Sequence, residues 1–116
     1  MYRLWDLLAA HGLPVPHDRE MLRELLIEAE RAVSIVRADE KRLRSSAAEE
    51  RALVDEWSAK ARLARNIGEE DLAAQADARA AGHAGRAGEL EREVTSQTAV
   101  LVKLEDQLAE LRRSVG

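Results

Sequence analysis

Apolar residues recur at alternating three- and four-residue spacing through two stretches of matching length, residues 22–64 and 73–115. The first stretch reads Leu22, Leu26, Ala29, Val33, Val36, Glu40, Leu43, Ala47, Glu50, Val54, Trp57, Ala61 and Ala64. The second reads Ala73, Ala76, Ala80, His83, Ala87, Leu90, Val94, Gln97, Leu101, Leu104, Leu108, Leu111 and Val115. This spacing lays one apolar stripe along each of two long helices and turns it toward a partner helix. Between them stand Asn66, Ile67 and Gly68. The predicted fold class is therefore all-α: a long antiparallel two-helix coiled-coil hairpin with a short N-terminal amphipathic helix. Two paired helices enclose no pocket, so function is expected on their surfaces.

Three segments follow from the local signals. Residues 1–12 read as a short amphipathic helix whose apolar content is Leu4, Trp5, Leu7 and Leu8, ended by Gly12. Residues 13–17 form an extended linker, because Pro14 and Pro16 each fix their own φ and push the preceding residue out of the helical region. Residues 18–116 make the hairpin, with arms at about 18–66 and 69–115. Asp18 and Glu20 place negative charge at the first helix's start, where exposed amide groups favour it. Gly68 can adopt the left-handed conformation that closes this helix, and Glu69, Glu70 and Asp71 suit the start of the next.

Folding the chain at this turn sets a register that the polar seam positions test. Glu40 then faces Gln97, and a polar layer of this kind penalises slipped pairings. Trp57 faces Ala80, so the largest side chain lies over small ones. His83 faces Val54, with Glu50 one layer away and able to reach the imidazole; His83 reads as a core histidine held by a neighbour, with a pH-sensitive role as the alternative. Glu40, Gln97, Trp57 and His83 are thus the residues expected to fix register.

The two flanks of the seam differ. On one, the same register brings Arg65 to Asp77, Arg51 to Glu91, Arg37 to Glu105 and Glu30 to Arg112, each pair opposite in sign. The other carries Leu25, Ala32, Ile35, Leu53, Leu63, Leu72 and Val100. An apolar flank asks for a further helix, so Leu25, Ile35, Leu53, Leu63, Leu72 and Val100 are candidates for self-association or partner docking. A slightly widened core face is the other reading. Gly82, Gly85 and Gly88 point away from the first arm; close approach of a neighbouring helix or simple tolerance would each account for them.

Composition narrows the remaining choices. A third of the residues are charged, aromatics are 3% and phenylalanine is absent, as expected of long solvated helices. The net charge of −4, with Arg and Lys alternating with Asp and Glu, argues against a nucleic-acid partner. No apolar run is long enough for a membrane span, and Asp6 within the first apolar segment speaks against a secretory signal. The chain has no cysteine, which removes thiolate metal sites and disulfides, and His11 and His17 lack a third ligand at useful spacing. No phosphate-binding glycine loop, carboxylate pair or nucleophile arrangement is visible, so neither catalytic residues nor metal or cofactor sites are expected.

Around the turn, Glu56-Trp57, Lys60-Ala61, Ala64, Gly68-Glu69-Glu70-Asp71-Leu72-Ala73 and Ala76 resemble the hairpin tip of the phage-shock-protein A family, which includes the vesicle-inducing protein in plastids and is related to ESCRT-III. Leu90-Glu91-Arg92-Glu93-Val94, with Leu101, Leu104, Leu108 and Leu111, is similar to that family's second arm. The resemblance implies a non-enzymatic membrane-stress-response protein, cytoplasmic and peripheral at the inner membrane. It would self-associate through hairpin packing, touch anionic membrane lipid through Leu4, Trp5, Leu7 and Leu8, and have an AAA+ transcription activator as a partner. Three features depart from the family pattern: the short first segment with Arg3 as its only firmly cationic side chain, the glycine stretch, and a sequence that stops at Gly116 where relatives continue into further helices, as either a trimmed piece or a minimal relative would. A cytoplasmic coiled-coil adaptor that holds a protein partner is the alternative expectation.

Overall fold

A computed structural model describes residues 19–115. They form two helices, α1 (Arg19–Asn66, 48 residues) and α2 (Glu70–Val115, 46 residues), with no strand among the described residues. The fold is an all-α helical hairpin. The short N-terminal helix and proline linker expected from the sequence lie outside the described residues.

The turn shows why both helices stop where they do. Gly68 has φ of 79°, the left-handed region that side chains other than glycine's strongly disfavour. This lets Gly68 N–H donate to the Arg65 carbonyl at 3.1 Å and Glu69 N–H donate to the Ala64 carbonyl at 2.8 Å. The pair of bonds is a Schellman closure, which satisfies carbonyls left open at a helix end. Glu69 then accepts the first bond of α2 from Ala73 N–H at 2.9 Å, while Glu70 and Asp71 fill the first turn with negative charge.

Among the described residues two compact units divide the hairpin: residues 19–39 with 97–115, and Glu40–Ser96. In the first unit Leu22, Leu25, Ala29, Val33 and Val36 of α1 pack with Leu101, Leu104, Leu108 and Leu111 of α2, and Leu26, Val100 and Val115 join from the edges. Full burial of a side chain of this size contributes about 1.5–3 kcal/mol, so these layers hold the unit together. Arg37–Glu105 at 3.5 Å and Arg112–Glu30 at 3.7 Å run along it and fit the antiparallel pairing of the two helices.

The Glu40–Ser96 unit is built differently. Its buried residues are all alanines: Ala47, Ala61, Ala73, Ala76, Ala80 and Ala87. Alanine layers bury little apolar area each, so polar contacts across the helices carry more of the pairing specificity. Arg51 grips Glu91 with two bonds, Nε to Oε2 at 3.0 Å and Nη2 to Oε1 at 2.6 Å, and Arg65 donates to Asp77 at 2.7 Å. All four cross-helix ion pairs expected from the register are therefore present, and every seam position on both arms is buried or half-buried.

Candidate interaction surface

The apolar flank does not behave as one surface. Leu25 is buried in the first unit's core, and Val100 packs against that core, so at these two positions the flank is a widened core face. Ala32 and Leu53 are half-buried. Ile35, Leu63 and Leu72 keep 53%, 65% and 54% of their surface exposed, and these are the flank residues left to meet another molecule. Ile67, exposed at 69%, joins them; the seam pattern does not single it out because it stands in the turn. Met21, Ile27 and Val102 are exposed as well and were not singled out.

Next to the turn, both helices contribute to a groove of about 390 Å³. Leu63, Ala64 and Ile67 of α1 and Leu72 and Ala76 of α2 make its apolar surface, with Trp57, Lys60, Gln75 and Arg79 completing the lining. The half-buried Trp57 ring takes two cations: Lys60 Nζ stands 4.3 Å from the ring centroid and Arg79 Cζ 4.8 Å. Cations are drawn to the negative face of an indole, so the ring fixes both side chains at the groove's edge. Trp57 was expected simply to cover alanines; its cationic partners are the feature the seam pattern did not supply. Lys60 follows Trp57 by three residues, a helical neighbour spacing that signals this contact. Arg79 comes from the other helix and needs the register as well.

The His83 site forms as the register anticipates. His83 Nδ1 lies 2.6 Å from Glu50 Oε2, which requires the proton on Nδ1 so that the imidazole donates to the carboxylate. Arg86 Nη2 is 2.9 Å from the same ring nitrogen, and with Nδ1 protonated its guanidinium acts instead on Glu50, whose Oε2 is 3.5 Å from Arg86 Nε. The His83 hydrogen bond, followed by the charges of Arg86 and His83, holds the Glu50 carboxyl below its ordinary range against the opposing effect of desolvation. Glu91 is likewise held low by its bonds from Arg51.

Glu40 and Gln97 are the remaining register residues. Glu40 is engaged by Arg44 Nε one turn along α1. Gln97 has its Oε1 atom buried without a hydrogen-bond partner. The membrane-contact candidates Leu4, Trp5, Leu7 and Leu8 lie outside the described residues. Among the described residues no group of three or more His, Asp or Glu side chains is placed to hold a metal ion, and no helix is long and apolar enough to cross a membrane.

Residues 19–115 are thus an all-α helical hairpin that presents exposed apolar side chains, cross-helix ion pairs and a cation-edged groove beside its turn. No protein-family model matches the chain, and neither a curated protein nor a solved structure shows a significant match to it.

Proposed function

We propose that this chain is a non-enzymatic assembly protein that works by self-association through its helical hairpin. The observation that carries this reading is the exposure of Ile35, Leu63, Ile67 and Leu72, large aliphatic side chains standing in solvent on helices whose own pairing is already complete. Burying such side chains against another helix returns about 25 cal/mol for each Å² removed from water. Light scattering over a concentration series tests it: the mean mass should rise with concentration, and a mass fixed at one chain throughout would end the reading.

The sequence resemblance at the turn extends this proposal to a membrane-stress role, in which Leu4, Trp5, Leu7 and Leu8 supply peripheral contact with anionic lipid and an AAA+ transcription activator is a regulated partner. Assembly supports such a role physically, because many weak copies of a short apolar segment gain avidity when displayed together. Co-sedimentation with anionic vesicles, with and without residues 1–12, separates it from a coiled-coil adaptor that never touches lipid. Loss of vesicle binding on removing residues 1–12 favours the membrane role, and absence of binding by the intact chain favours the adaptor.

A further inference from the structure

The groove beside the turn combines apolar and cationic side chains. Its lining includes two cations, Lys60 and Arg79, and no carboxylate, in a chain of net charge −4. Lys60 shares a 3.2 Å ion pair with Glu56, whereas Arg79 has no carboxylate partner among the described residues and rests on the Trp57 ring. Leu63, Ile67 and Leu72 stand exposed between these cations and the turn. An anionic membrane is a poor occupant, because Glu69, Glu70 and Asp71 are exposed at the same end and would face the headgroups. The fitting occupant is an apolar helix surface edged with carboxylates.

The chain carries such a surface itself. On the face of α1 turned away from its core, Met21, Ile27 and Ile35 are exposed at 44%, 49% and 53%. At about 100° per residue, the exposed glutamates Glu20, Glu24 and Glu28 fall among these side chains on that same face, with Arg31 as the cation there between residues 20 and 35. Apolar side chains interspersed with carboxylates meet an apolar groove with a basic edge. We propose that the groove formed by Leu63, Ile67 and Leu72 beside Lys60 and Arg79 receives the Met21, Ile27 and Ile35 face of α1 from a second copy of this chain, with Glu24 and Glu28 of that copy paired to the two cations.

The contact joins two different surfaces, so it is heterologous: each copy in a pair keeps one groove or one acidic face open, and growth continues unless the arrangement closes on itself. Opposite charges at the rim select the docking orientation and suppress groove-to-groove and face-to-face encounters, where like charges meet. This inference rests on the self-association reading and names the surfaces that perform it.

A charge-swap experiment tests it on the intact chain. Variant one carries Lys60→Glu and Arg79→Glu; variant two carries Glu24→Lys and Glu28→Lys. Each should keep wild-type helicity by circular dichroism, since all four side chains are exposed, and each alone should self-associate roughly tenfold more weakly than wild type in sedimentation velocity. Mixed in equal amounts, they should regain wild-type assembly, because each variant's groove then meets a face of opposite charge. Variants that assemble like wild type overturn the proposal while leaving self-association standing, and variants that weaken without rescue on mixing overturn it too. A wild-type chain that stays monomeric at every concentration removes both this proposal and the reading it rests on.

Discussion

His83 donates to Glu50 across the two helices at 2.6 Å, joining the imidazole of α2 to a carboxylate of α1. A carboxyl whose pKa is depressed on folding adds stability above its unfolded pKa, and that stability is lost as pH falls through the folded value. Glu50 is such a group. Melting temperature should therefore fall on acidification through and below the ordinary carboxylate range, and the fall should be shallower in Glu50→Gln. Identical acid limbs for the two proteins would show that this bond carries no folding linkage.

Trp57 is half-buried with Lys60 and Arg79 against its ring. Truncating a fully buried aromatic costs about 3–5 kcal/mol; with half of the ring's environment being solvent and cations, Trp57→Ala should cost roughly 1–3 kcal/mol in denaturant unfolding. Wild-type stability in this variant would mean that the ring is used only by a bound partner.

The seam, the turn and the charged flank were legible because each rests on local periodicity plus one fold-back point. Placing the bend at Gly68 sets the register, and the four ion pairs from Arg65–Asp77 to Arg112–Glu30 follow from it. The apolar flank was harder, since periodicity gives a residue's angle on a helix but not how far the partner helix reaches around. Leu25 lies beside leucine and valine layers and is covered by them, whereas Leu63 and Leu72 flank alanine layers and stay open. Glu40 also has a same-helix partner, Arg44, whose four-residue spacing is local and needs no register.

The glycines of α2 give a clean stability test. An added Cβ at Gly85 meets nothing within 4 Å, and one at Gly82 meets only the tip of Arg86 at 3.9 Å. Gly85→Ala should stabilise the hairpin by about 0.5–1 kcal/mol, since alanine restricts the unfolded chain and is the better helix former. Gly68→Ala should instead destabilise it by at least about 1 kcal/mol, because φ at that turn is positive. A destabilised Gly85→Ala protein would indicate that another chain packs directly on this face.

Gln97 buries its Oε1 atom without a partner, a cost that an apolar side chain of similar size avoids. Gln97→Leu should raise the melting temperature. A lowered value would show that the amide satisfies a polar group whose loss outweighs the gain.

Self-association through exposed aliphatic side chains is the central claim, and sedimentation velocity on wild type beside an Ile35→Glu, Leu63→Glu variant tests it most directly. Both positions are more than half exposed, so the helices should persist. The account predicts concentration-dependent growth of the wild-type species and a variant that remains a single chain at matched helicity. Equal sedimentation of the two proteins, whether both assembled or both monomeric, would contradict it.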